Sequence, residues 1–200
     1  HGTVLHSGFY SPWANELTKH GYAVFGVDLR GWGQSQGYGR RGNVANYDDY
    51  VEDLTLARRE IRRRFPNIPV YLQGESLGGA VVLLAHIMDK VTTDGIILNA
   101  PAVRVNSAAQ WSLWGNAQIT KHLTETPLLP LLKPLTGLVL TDPQAQDRFW
   151  TDPLTTRQAL AGGFVTALQE ATERLQLNVN NVRAPMLIIH GTKDYVIPKS

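Results

Sequence analysis

Five residues, Gly74-Glu75-Ser76-Leu77-Gly78, constrain this chain more than any other stretch, because they stand directly behind the apolar run Val70-Tyr71-Leu72. A serine with glycines two residues before and two after it, between a buried strand and a helix, is the pattern of a nucleophile elbow. The turn is so tight that those flanking positions leave almost no room for side chains. It lifts the serine hydroxyl above the edge of a sheet, where a substrate carbonyl and a base can both reach it. The context agrees: Pro69 closes a loop, the strand is apolar, and Leu77 to Met88 is expected as a helix packed through Gly78-Gly79-Ala80.

Around this turn, strand-like and helix-like stretches alternate, which implies a parallel sheet with helices on both faces. Tyr22 to Val27 is expected as a buried strand ending at Asp28, and Tyr47 to Phe65 as a long amphipathic helix stopped by Pro66. Further strands are expected at Val70–Gln73, Gly95–Ala100 and Met186–His190. Between Ala102 and Arg183 the alternation lapses into Trp111, Trp114, a Leu/Pro segment and a helix-like run from Thr156 to Leu177. The implied organisation is a core over residues 1–101, a helical cap inserted over 102–183, and a core strand with its loop over 184–200.

Two hundred residues suffice to bury a sizeable core in one such unit. Nineteen Lys and Arg against seventeen Asp and Glu leave a net charge of +2, too weak to imply a nucleic-acid partner. Arg58, Arg59, Arg62, Arg63 and Arg64 cluster, but at helical spacing with Leu54, Ala57, Ile61 and Phe65, so a solvated helix face is expected. The absence of cysteine excludes disulfides and thiolate-ligated metals. No stretch reaches the roughly 18 apolar residues of a membrane span, since Leu128–Leu140 is broken by Pro130, Lys133 and Pro134. No signal peptide is visible, an absence that means little where the natural beginning is expected to be missing; the compartment stays open, with the cytoplasm favoured.

Acyl transfer through a serine needs a base, an acid that orients the base, and backbone donors for the oxyanion. Asp194, in His190-Gly191-Thr192-Lys193-Asp194, stands just past the C-terminal end of a strand and is the acid candidate; the alternative is a turn-forming aspartate. His1-Gly2-Thr3-Val4 is the oxyanion candidate, with the amides of Thr3 and Leu77 expected to converge on one oxygen. Glu75 is expected to face solvent or the cap. Leu123, Leu128, Leu129, Leu131, Leu132, Leu135, Leu138 and Leu140 either line an acyl channel or form the packed underside of a lid.

His1-Gly2, His6-Ser7, Asp28-Leu29-Arg30-Gly31-Trp32-Gly33-Gln34-Ser35, Gly74-Glu75-Ser76-Leu77-Gly78-Gly79 and Ile189-His190-Gly191 with Asp194 fall in order along the chain. Together they resemble the monoacylglycerol lipase and lysophospholipase branch of the α/β-hydrolases, also grouped with serine aminopeptidase-like hydrolases. The resemblance implies Ser76 as nucleophile, Asp194 as acid and Thr3 and Leu77 as oxyanion amides. It implies esterase or lipase activity on acylglycerols, lysophospholipids or similar acyl esters, with no metal or organic cofactor. Contact with a lipid surface and the oligomeric state stay open. A peptidase or amidase, an acyltransferase, and a catalytically silent binding protein are the rivals on the same scaffold.

Two departures stand out. Trp32 occupies a position where this branch often has His or Phe, and a packing or substrate-edge role is expected for it. No histidine follows Asp194 within the 200 residues, and His1, His6, His20, His86, His122 and His190 all fall outside the order the mechanism requires. The family's base lies one strand further on, and the strand that leads into its oxyanion loop would precede His1. The expectation is therefore an excerpt, truncated at both ends, of a longer α/β-hydrolase.

Overall fold

Among the described residues, three short parallel strands carry the architecture: β1 (Tyr71–Glu75), β2 (Gly95–Asn99) and β3 (Met186–Ile189), side by side in that order. The computed structural model describes residues 1–37, 39, 41–106, 140–157, 160, 162–194 and 196–198. Tyr71 pairs with Gly95 and Glu75 with Asn99; on the other side Ile96 pairs with Met186 and Asn99 with Ile189. In register and parallel, the three strands bring their C-terminal ends to one edge, where the loops beyond them meet.

Among the described residues, five α-helices flank or lead to this sheet: α1 (Ser11–Lys19), α2 (Asp48–Arg64), α3 (Leu77–Ile87), α4 (Pro143–Thr151) and α5 (Gly162–Asn178). A helix that is apolar all round belongs in the interior. That is the case for α3, where every residue from Leu77 to Ala85 is buried. Helix α5 sends Phe164, Val165, Ala167, Ala171 and Leu175 into the same core as α3. It begins later than the run expected from Thr156, because Thr155 and Thr156 are buried in the turn before it. Helix α4 is capped by Asp142, whose side chain accepts from the Gln144 amide (3.1 Å), with Pro143 in the first turn.

Helix α2 places Asp48 and Asp49 in its first turn and Arg62, Arg63 and Arg64 in its last, both favourable to the helix dipole. Arg63 and Arg64 pair with Glu60 on the exposed face, as a solvated stripe should. Arg58 does not belong to that stripe. It is only 8% exposed and donates to the Thr92 carbonyl (2.8 Å), tying α2 to the loop before β2.

The stretch Tyr22 to Val27 corrects the sequence reading. It runs extended but joins no ladder among the described residues, and Tyr22 and Phe25 are 57% and 46% exposed. Its apolar composition suits a strand, but a strand exists only against a partner, and no described strand lies beside it. The loop beyond Asp28 is firmly placed: Trp32 is fully buried, edge-on to Phe164 at 5.6 Å between ring centroids, and its Nε1 donates to the Tyr50 hydroxyl (2.9 Å). Trp32 therefore packs in the core and does not edge a substrate site. Trp111, Trp114, His122 and the leucines from Leu123 to Leu138 lie outside the described residues.

Candidate active site

Strand β1 ends at Glu75 and α3 begins at Leu77, so Ser76 alone makes the corner, at φ 47° and ψ −110°. A non-glycine residue there is strained, and such strain persists only where the surroundings over-determine it. Here they do: the Ser76 amide donates to the Asn99 carbonyl (3.0 Å), while its own carbonyl accepts from Ala80 (3.1 Å) and Ala102 (3.0 Å). Gly74 permits the corner. A Cβ on Gly74 would lie 2.4 Å from the Gly78 carbonyl oxygen and 2.6 Å from the Gly79 nitrogen.

The loop at the head of the chain is fastened onto this corner. The Gly78 amide donates to the His1 carbonyl (3.1 Å), so residues 1–4 lie against the first turn of α3. The Gly2 carbonyl accepts from the Leu5 amide (3.2 Å) and the His1 Nδ1 (2.9 Å). Because no peptide bond is cis, the Thr3 N–H points opposite to that carbonyl. His1 Nε2 accepts from the Leu29 amide (3.1 Å), which makes the ring a bracket between this loop and residues 28–36. Val4 turns the chain at φ 64°, a second strained non-glycine residue beside the corner, and its carbonyl accepts from Thr156 (2.9 Å).

Asp194 stands beyond the C-terminal end of β3, half-buried. Strand β2 separates β3 from β1, so two strand spacings, about 10 Å, lie between the ends that carry Ser76 and Asp194. One carboxylate oxygen of Asp194 accepts from the Val196 and Ile197 amides, both at 2.9 Å. His190 steadies the same loop, its Nε2 lying 2.9 Å from the Ile197 carbonyl and 3.5 Å from the other Asp194 oxygen.

The other described histidines are engaged elsewhere. His6 is buried against Asp152 (2.9 Å), His86 bridges the Val82 carbonyl (2.8 Å) and the Thr93 hydroxyl (3.0 Å), and His20 sits exposed beside Glu16. None of them contacts Ser76 among the described hydrogen bonds.

The Glu75 side chain is half-buried, and much of the cap expected beside it lies outside the described residues. The carboxyl lies against the Tyr10 hydroxyl and the Asn99 side chain, and burial raises its pKa despite the bonds both partners donate. Burial likewise raises the pKa of Tyr10, with the Glu75 charge adding to it. Asp28 is another carboxylate that the sequence marked only as a strand end. Its two oxygens accept from the amides of Ser7 (2.6 Å) and Gln34 (2.8 Å). Burial works to raise its pKa, but these two amides outweigh it and hold the carboxyl below the usual range. No spacing rule announces Tyr10 or Asp28; their roles depend on contacts across the fold.

A parallel sheet with a serine corner at its carboxyl edge, and an acid loop two strands away, defines an α/β-hydrolase. The chain belongs to the serine aminopeptidase S33 family, whose model matches residues 1–200, and it sits on the monoacylglycerol lipase-like branch. It is 29% identical over 197 residues to human monoglyceride lipase, covering 97% of this chain and 63% of that protein. It is 26% identical over 198 residues to the monoacylglycerol lipase of Mycolicibacterium smegmatis, covering 99% and 69% respectively. Its fold matches the crystal structure of Paleococcus ferrophilus monoacylglycerol lipase with a TM-score of 0.75 at 25% identity, over 99% of this chain and 73% of the other. The chain thus spans about two thirds of the length of the relatives it matches. No helix among its described residues is long and apolar enough to cross a membrane.

Proposed function

We propose that the protein to which this chain belongs is a serine hydrolase that cleaves carboxylic esters through an acyl-enzyme on Ser76, with acylglycerols and lysophospholipids as its substrate class. The observation that carries the reading is the strained Ser76 corner clamped to the loop of Thr3 through the Gly78–His1 bond. Ser76 Oγ attacks the ester carbonyl carbon while its proton passes to a histidine base oriented by Asp194. The carbonyl π electrons move onto oxygen, where the Thr3 and Leu77 amides stabilise them, a contribution worth about 10²–10³ in kcat per donor. Collapse of that intermediate breaks the bond to the alcohol, which leaves with the proton from the base. Water then repeats the sequence on the acyl-enzyme and releases the acid. The base is a histidine other than His1, His6, His20, His86, His122 and His190; Asp194, which accepts from two backbone amides, would orient it.

The substrate class rests on the relatives named monoglyceride lipase, and the insertion over residues 102–183 would select the acyl chain as a cap. The family description favours a second reading, peptide-bond cleavage by the same serine. Fluorophosphonate treatment of the full-length protein, with intact-mass measurement beside Ser76→Ala, tests the nucleophile. One adduct that the substitution abolishes is expected; a folded wild type that takes no adduct refutes the proposal. Matched monoacylglycerol and acyl-anilide substrates then separate the lipase from the peptidase.

A further inference from the structure

Gly2 is held at both its amide and its carbonyl, and the group that holds the amide is a side chain of no assigned role. Its N–H donates to the Tyr10 hydroxyl oxygen at 2.8 Å. The Tyr10 hydroxyl stands against the Glu75 carboxyl, an acceptor for its proton, and the Asn99 side chain lies against the same group. The contact leaves no slack: a Cβ on Gly2 would stand 3.0 Å from Glu75 Oε1 and 3.5 Å from the Tyr10 hydroxyl. Glu75 immediately precedes Ser76, so the chain of bonds runs from the elbow, through a tyrosine, back to the loop that faces the elbow.

We propose that Tyr10 and Glu75 are positioning residues that set the Thr3 amide for oxyanion binding, an inference that rests on the serine-hydrolase reading. An ionised carboxylate beside a developing oxyanion opposes it at short range in a low-dielectric site. The Tyr10 hydroxyl and the Asn99 side chain, both donors to Glu75, partly screen that charge. The bond to Glu75 also orients the Tyr10 hydroxyl so that its oxygen is free to accept from Gly2. The Gly2 carbonyl, held by Leu5 and His1, shares its peptide plane with the Thr3 N–H, and the Gly2 N–H, held by Tyr10, anchors the peptide before it, so rotation of the Gly2–Thr3 plane is restrained. Its remaining polar group, the Thr3 N–H, keeps its aim without reorganisation, which is what preorganised stabilisation requires. Tyr10 touches neither substrate nor reacting atoms in this scheme; it acts through Gly2.

The test uses the full-length protein with p-nitrophenyl butyrate as substrate and a trifluoromethyl ketone, whose tetrahedral serine adduct places an oxyanion in the hole. Tyr10→Phe and Glu75→Leu are expected to lower kcat by about 10-fold or more, less than loss of a direct donor. KM should stay within about threefold, and affinity for the ketone should fall by the same factor as kcat, as expected of an interaction made only in the transition state. Glu75→Gln keeps an acceptor for Tyr10 and should retain kcat within about threefold of wild type. If Tyr10→Phe fails to fold, the contrast between Glu75→Leu and Glu75→Gln carries the same comparison. Wild-type kcat in Tyr10→Phe, or a fall in kcat with unchanged ketone affinity, overturns the proposal while the hydrolase reading stands. A wild type that neither labels with fluorophosphonate nor hydrolyses the ester removes both.

Discussion

Gly74→Ala is the sharpest test of how the elbow is held. The added methyl would lie 2.4 Å from the Gly78 carbonyl oxygen, 2.5 Å from its carbon and 2.6 Å from the Gly79 nitrogen. Non-bonded carbon contacts settle near 3.5–4.0 Å, so strand and helix must separate by about 1 Å. None of the three atoms is a side-chain end that can swing away. The first turn of α3 is also anchored by the bonds from Gly78 to His1, and from Ala80 and Ala102 to Ser76. Overpacking in cores costs about 1–3 kcal/mol, and an all-backbone clash belongs at the top of that range, near 3 kcal/mol. For a chain of this size each kcal/mol moves Tm by about 2–4 °C, so a fall of roughly 6–12 °C is expected. A 1 Å shift of the Leu77 amide should further lower kcat by about 10²-fold in the fraction that remains folded. Differential scanning fluorimetry and initial-rate kinetics on the full-length protein read the two effects separately. A variant that melts within about 2 °C of wild type refutes the clash. One that melts low but keeps wild-type kcat refutes the claim that α3 carries the oxyanion geometry.

Two further substitutions probe the surroundings of the site. Tyr50→Phe strands the buried Trp32 Nε1–H, which now donates at 2.9 Å, and should cost about 1–3 kcal/mol in urea unfolding with KM unchanged. Asp28 has a depressed folded-state pKa, so its contribution is present above the unfolded value of about 3.9 and is lost as pH falls through the folded value. Asp28→Asn should therefore melt lower than wild type at neutral pH and show a shallower loss of Tm below about pH 4; equal slopes would argue against the amide cage of Ser7 and Gln34.

The elements that the sequence announces are those whose cause is local. Strand β1, the Ser76 corner and helix α3 arise from an apolar run, two glycines and a continuous apolar helix, and the structure places each within two residues of expectation. Helix α2 likewise arises from its amphipathic spacing and from Pro66. Tyr22 to Val27 fails for the opposite reason: composition can propose a strand, but a ladder needs a partner, and no described strand lies beside it. Trp32 takes the packing role, one of its two expected roles, but its partners Tyr50 and Phe164, like the Thr92 carbonyl that holds the buried Arg58, are announced by no spacing. Glu75 is legible only as the polar neighbour of Ser76; that Tyr10, arriving from the 3-10 turn Ser7–Tyr10, and Asn99 stand against it is announced by no spacing.

That arrival shows how the site is built. The segment Tyr22 to Val27 joins no ladder among the described residues, so the loop beyond it is not positioned by sheet pairing. It is positioned by bonds: Ser7 and Gln34 to the Asp28 carboxylate, the Ser35 hydroxyl to the Asp28 carbonyl (2.7 Å), Leu29 to His1, and Arg30 to Asp53 at 2.8 and 2.6 Å. The head loop is fixed in the same manner, through Gly78, Tyr10 and Leu5. Apolar burial resists displacement only in proportion to area, whereas a short charge-assisted hydrogen bond also specifies direction. Amides that must aim at one developing charge need direction. On the serine-hydrolase reading proposed above, Asp28 supplies part of that direction by accepting from the Ser7 and Gln34 amides, and Tyr10 supplies part by accepting from Gly2.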